Sequence, residues 1–158
     1  MTGPERIAAA FAASGKRAAL MPYLMGGFPD LAASRALGEA YVSAGADLIE
    51  VGVPFSDPLA DGPVIHAAGT EALRIGTTLD GVLGLAGELA HAVPVAVMCY
   101  SNPILARGRE AFAAVLAERG VSGLIVPDLP LEEAPPLLAA CDAAGVAMVF
   151  TSRRHFRH

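Results

Sequence analysis

Glu50 is the residue of greatest chemical interest, because it stands inside an apolar run, DLIEVGV, from Asp47 to Val53. A carboxylate placed there loses hydration unless a partner or a cavity supplies polar contact. At strand period, Leu48, Glu50 and Gly52 share one face, and Ile49, Val51 and Val53 share the other. The Val/Ile face suits packing under helices, which points Glu50 to the interior side. Burial raises a carboxyl pKa and favours acid–base use. A structural ion pair within the sheet would explain the same residue equally well. A second place is the loop PFSDPLADGP, residues 54–63, which holds Asp57 and Asp61 among three prolines and a glycine. Prolines leave a loop little entropy to lose. Asp61 follows Glu50 by 11 residues, so the loop has the reach to fold back and set two carboxylates on one cavity, dividing acid and base roles. Ordinary turn chemistry also selects Asp in such a loop. A third place is Tyr100, Ser101, Asn102 and Pro103, with Pro127–Pro130 further on. There Tyr and Asn suit the polar edge of a ligand and Leu129 an apolar wall, or together they form a hydrogen-bonded loop corner.

His66 begins a helix, where a lone histidine is more often a surface or capping residue. No His/Cys/Asp cluster has metal spacing, and no Walker loop or GxGxxG occurs. No Ser–His or Cys–His pair suggests nucleophilic catalysis.

Five short apolar runs must position these groups. They read as strands at Ala19–Met25, Asp47–Val53, Pro94–Cys99, Ser122–Val126 and Val146–Phe150. Helices are predicted over residues 5–15, with Phe11 on the apolar face, from an Asp30 cap to Ser43, over 64–75 and 79–91, and over Arg109–Arg119 and Leu131–Ala144. The segments SAGADLIEV, ERGVSGLIV and DAAGVAMVF repeat one order, a helix end, a glycine and an apolar strand. Near-continuous apolar strands alternating with helices predict a parallel α/β sheet covered on both faces. A doubly wound sheet and a (β/α)8 barrel both fit, with the active site at the carboxyl ends of the strands.

The chain has 158 residues and a net charge of −5, with 54% hydrophobic and 17% charged residues. That is one domain by length, and the acidic balance argues against nucleic acid or an anionic membrane as partner. Mean hydropathy is +0.50. The richest region, Val82 to Tyr100, is nevertheless interrupted by Glu88, His91 and Pro94, so no transmembrane helix is predicted. The amino terminus has an early acid and no long apolar stretch, unlike a signal peptide. The expectation is a soluble cytoplasmic protein. Cys99 and Cys141 each lie in apolar runs, as buried reduced thiols do.

The run LIEVGVPFSDPLADGPVIHAAGTEAL closely resembles the signature of the tryptophan synthase alpha subunit. YLMGGFPD, MCYSNPI and GLIVPDLPLEE resemble its other motifs. The resemblance covers residues 1–150. It implies the (β/α)8 TIM barrel family, here an incomplete barrel with about five parallel strands. It also implies retro-aldol cleavage of indole-3-glycerol phosphate to indole and glyceraldehyde 3-phosphate in tryptophan biosynthesis. By matching motif, Glu50 is the catalytic glutamate and Asp61 the catalytic aspartate. Indole walls are sought among Leu24, Met25, Phe28, Cys99 and Leu129, with Tyr100 also assigned to substrate. Phe55, Ser56, Asp57, Pro58 and Asn102 resemble the part of the family that touches a beta subunit, in an alpha2beta2 complex. No cofactor or metal is implied for this chain, since pyridoxal phosphate belongs to the partner beta subunit.

The family continues for further βα units that carry a glycine-rich phosphate site, and residues 1–150 offer no substitute. After Phe150 the sequence becomes TSRRHFRH, where Arg153, Arg154 and Arg157 follow a stretch that holds every acidic residue. Residues 151–158 are accordingly expected to be a divergent basic tail on the amino-terminal part of a barrel, truncated by a frameshift in a GC-rich gene. The single lysine, Lys16, supports a GC-rich source. A deliberate short paralogue is the alternative. An open sheet edge predicts marginal stability and self-association, with weak or absent turnover. The alternative function is a non-catalytic module that only binds the beta subunit.

Overall fold

Four short strands pair side by side in chain order, every pair parallel. They are β1 (Tyr23–Met25), β2 (Ile49–Gly52), β3 (Val95–Met98) and β4 (Gly123–Ile125). The computed structural model describes residues 1–148. Helix α1 (Gly3–Ala13) precedes β1, and α2 (Leu31–Ser43) links β1 to β2. Helices α3 (Pro63–Arg74) and α4 (Leu79–Ala90) link β2 to β3, and α5 (Ser101–Arg107) and α6 (Arg109–Glu118) link β3 to β4. A 3-10 turn (Leu131–Glu133) and α7 (Pro135–Ala144) follow. Ala147 then bridges Gly123 in parallel, where the fifth strand was expected. Val149, Phe150 and the tail 151–158 lie outside the described residues.

The register divides the sheet into two faces. Leu24, Val51, Val97 and Leu124 are partners across the ladder. All four join the buried core, with Val82, Leu83 and Leu89 of α4 and Phe112 and Leu116 of α6. That is the helix-covered face. Tyr23, Glu50, Ala96 and Gly123 form the adjacent row and leave the opposite, inner face. The alternation that pointed Glu50 inward therefore matches the structure. The repeated glycines Gly45, Gly120 and Gly145 all have positive φ, 86°, 71° and 70°. Each gives a helix end the left-handed residue it needs before the next strand.

Helix α1 closes the amino-terminal end of the inner face. Its start is a capping box between Thr2 and Glu5, which the helix predicted from residue 5 did not include. The Gly3 amide donates to the Gly145 carbonyl at 2.7 Å. Arg6 donates to the carbonyls of Gly120 and Ala90, each at 2.5 Å. The tip of Ile7 lies over Gly123.

Four local expectations are corrected. Phe11 is 56% exposed rather than buried on an apolar face. Strand β1 begins at Tyr23, not Ala19. Pro22 has no amide to donate, although its carbonyl still accepts from Glu50 N–H at 3.0 Å. Tyr100–Pro103 is not a loop corner, because Ser101–Arg107 is helical. The last helix starts at Pro135 rather than Leu131, as suits a proline, whose missing N–H matters least in the first turn. Among the described residues no helix is long and apolar enough to cross a membrane.

Candidate active site

Glu50 stands in register between Tyr23 and Ala96 on the inner face. Burial pushes its carboxyl pKa above the ordinary value of 4.5. The ion pairs found among the described residues are Lys16–Asp47, Arg35–Glu88, Arg74–Glu71 and Arg107–Asp80. None involves Glu50, so among the described residues no ion pair offsets its lost hydration. A desolvated carboxyl without a cation holds its proton closer to neutral pH. That is the property an acid–base group needs.

The loop after β2 is tied down from β3. Val53 N–H donates to the Met98 carbonyl at 2.8 Å. Tyr100 is buried, its ring stacked on Phe55 with centroids 5.1 Å apart. The Ala60 amide donates to the Tyr100 hydroxyl oxygen at 3.0 Å. This clamp fixes the residue just before Asp61. Burial raises the Tyr100 pKa and the adjacent Asp61 charge adds to the rise, against the Ala60 bond, which lowers it. Tyr100 thus holds the loop that carries Asp61, a structural duty beyond the substrate contact expected for it. The charges of Glu50, on a strand, and of Asp61, on the clamped loop, both reach the Tyr23 phenol.

Two neighbours were not singled out from the sequence. Tyr23 projects over Gly52, where an added Cβ would lie 2.0 Å from its hydroxyl oxygen. Its phenol is pushed well above the usual tyrosine range, first by burial and then by the charges of Asp61 and Glu50. Asp128, in the PDLP turn, accepts from Ser101 N–H and from Ser101 Oγ, both at 2.8 Å. It caps α5 from a distance in sequence, which is why the helix escaped a local reading. Asp128→Ala is expected to destabilise the fold by about 1–2 kcal/mol. Hydrogen exchange should show the loss concentrated in α5, and unchanged protection there would refute the capping role.

The remaining candidates separate by position. Ser56 and Asp57 are exposed, with Ser56 Oγ donating to Asp57 at 2.5 Å. Phe55 and Pro58 are half-buried, and Asn102 is exposed on the first turn of α5. The Tyr100 clamp brings that loop beside α5. Met25 is buried near the Tyr23 hydroxyl, with Sδ at 3.9 Å, and Phe28 is 41% exposed. Leu129 is half-buried against the core. Leu24 and Cys99 belong to the helix-covered core, so the structure does not bring them to Glu50. Burial and then the Asp128 charge push the Cys99 thiol up to about 12. His66 is exposed on α3. A cleft of about 360 Å³ between Thr2, Arg6, Gly120 and Gly145 lies at the amino-terminal end, opposite Glu50.

Comparison with known proteins gives one family. Its model, tryptophan synthase alpha chain, matches residues 10–154. The tryptophan synthase alpha chain of Synechococcus elongatus is 50% identical over 135 residues, 84% of this chain and 51% of the relative. That of a Synechocystis strain is 48% identical over 147 residues, 90% of this chain and 56% of the relative. Among solved structures, tryptophan synthase from M. tuberculosis superposes with a TM-score of 0.85 at 43% identity, over 89% of this chain and 58% of that one. The tryptophan synthase a2b2 complex of Pyrococcus furiosus gives 0.76 at 33% identity, over 81% and 55%. This chain therefore spans about half the length of the relatives it matches.

Proposed function

We propose, starting from the fact that this chain belongs to the tryptophan synthase alpha chain family, that Glu50 and Asp61 are the two catalytic carboxylates of a carbon–carbon lyase acting on indole-3-glycerol phosphate. The observation that carries this reading is Glu50 itself, a desolvated carboxyl on the inner face of a parallel sheet, with no cation paired to it among the described residues. Cleavage requires a proton at indole C3 and removal of the proton from the adjacent glycerol hydroxyl. The C–C bond then breaks, and its electron pair returns to the indole ring. A carboxyl poised to gain and lose a proton serves both transfers. Asp61 accepts the indole N–H and stabilises the positive charge that develops on the ring. Met25, Phe28 and Leu129 supply the apolar walls, and Tyr100 holds the loop. The phosphate grip is assigned to the later βα units of the family.

The partner on this reading is a beta subunit, met by Phe55, Ser56, Asp57, Pro58 and Asn102. Pyridoxal phosphate resides in that subunit and no cofactor is assigned here. The compartment is the cytoplasm. Because this chain spans about half of its relatives, a second reading stays open, a module that binds the beta subunit without cleaving substrate. A titration with beta subunit, following binding and indole release together, separates the two. Binding with indole release supports the lyase. Binding with none supports the module, and no binding sinks the partner assignment. Asp57→Ala is expected to weaken activation by the beta subunit more than it alters substrate binding. Equal loss of both would count against a coupling role for the loop.

A further inference from the structure

We propose that Tyr23 is a positioning residue for Glu50: its ring, seated in the notch that Gly52 leaves on the inner face, covers the Glu50 carboxyl and separates it from the loop that carries Asp61. Tyr23 and Glu50 are register partners on adjacent parallel strands, so their side chains leave the same face. Gly52 is the next position beyond Glu50 on that face. A Cβ at Gly52 would meet the Tyr23 hydroxyl oxygen at 2.0 Å and Cζ at 2.7 Å. The ring thus fills the volume a side chain at 52 would take, on the side of Glu50 from which the Asp61 loop approaches. The hydroxyl's hydrogen bond among the described residues is a weak one, to Met25 Sδ at 3.9 Å. Packing in the notch, rather than a strong hydrogen bond, holds the ring.

Among the described residues, the titratable groups gathered around Glu50 and the Tyr23 phenol are few. Tyr23 stands on β1, Asp61 on the loop after β2, and Tyr100 just past β3. The charges of Asp61 and Glu50 both act on the Tyr23 phenol, with Tyr100 contributing less. Beside and beyond Glu50 in its own row, β3 and β4 offer Ala96 and Gly123, neither of which titrates. With no cation in this set, the amount of water the ring excludes decides how tightly Glu50 holds its proton. The catalytic meaning rests on the reading of Glu50 as the acid–base group, while the geometry and its test do not.

The test is a carbon-detected NMR titration of the Glu50 carboxyl in the 158-residue protein and in Tyr23→Phe, Tyr23→Ala and Gly52→Ala. The parent midpoint is expected above 4.5. Tyr23→Phe keeps the ring and should keep that midpoint. Tyr23→Ala and Gly52→Ala should each lower it toward the ordinary value. Gly52→Ala guards against a folding failure in the other variant, since its added methyl meets the Tyr23 side chain and no backbone atom among the nearest three. Midpoints that stay put in both alanine variants would overturn the proposal. So would a Tyr23→Phe midpoint as low as that of Tyr23→Ala, which would assign the effect to the hydroxyl. A failure of the catalytic reading looks different: Glu50→Gln would retain indole release while these titrations still shifted.

Discussion

Glu50→Gln is expected to slow indole release from indole-3-glycerol phosphate by about 10²–10⁴-fold in the complex with beta subunit, and to make the chain more stable near neutral pH. The two effects share one cause. Burial holds the Glu50 carboxyl above its ordinary value of 4.5, so the folded chain binds this proton more tightly than the unfolded one. Stability then falls as pH rises from the unfolded value through the folded one. Above that window the ionised carboxylate is a standing penalty, and below it both states are neutral at this position. Glutamine keeps the shape and removes the charge. Its stabilising effect should be absent at about pH 4 and present at about pH 8, read from urea unfolding at the two values. A variant that keeps indole release would sink the acid–base role. A variant that loses stability at neutral pH would mean that Glu50 has a favourable partner, which the structure does not contain among the described residues. Function gained at the expense of stability is the pattern expected of a buried catalytic carboxyl.

The fold and the strand placement of Glu50 were legible because they follow from period and composition. Alternation in DLIEVGV alone turned Glu50 to the inner face, and the ladder places it there. The parallel sheet followed from apolar runs alternating with helices, three of the runs entered through a glycine, Gly45, Gly120 or Gly145. What was not legible depends on neighbours distant in sequence. Tyr23 joins the site only through its register with Glu50 and the absent side chain at Gly52. Helix α5 is seven residues long, contains Pro103, and takes its cap from Asp128. Asp57 and Asp61 share one loop and one composition. What tells them apart is the clamp from Tyr100 to Ala60, which ties down the residue before Asp61 and leaves Asp57 exposed beside Ser56. Phe11 looked like a core residue because the helix has an apolar stripe. Helix α1 in fact makes the contacts described through Gly3, Arg6 and Ile7 in its first two turns.

That seating underlies the second large effect. Gly3→Ala is expected to destabilise the chain by about 3 kcal/mol. A Cβ at Gly3 would lie 2.0 Å from the Ser122 carbonyl oxygen, 2.8 Å from its carbon and 3.0 Å from the Gly145 oxygen. All three atoms are backbone, and they belong to segments fixed by the sheet. The Gly3 amide also donates to that Gly145 carbonyl, so the helix cannot back away without losing the bond. Gly38→Ala makes the contrast. There a Cβ meets the side-chain end of Leu89 at 2.6 Å, which can turn, and alanine regains up to about 1 kcal/mol of helix propensity. Urea unfolding of both variants should therefore show a large drop for Gly3→Ala and a small one for Gly38→Ala. Similar drops would mean that α1 is not docked as described. The same pair also bears on where the Glu50 environment is set. Helix α1 closes the end of the inner face opposite the Asp61 loop. Unseating it should therefore leave the Glu50 titration in place, provided the Tyr23 ring governs that titration from the carboxyl end. A Glu50 midpoint that falls in Gly3→Ala would instead show that water reaches the carboxyl from below, and that α1 shares in holding its proton.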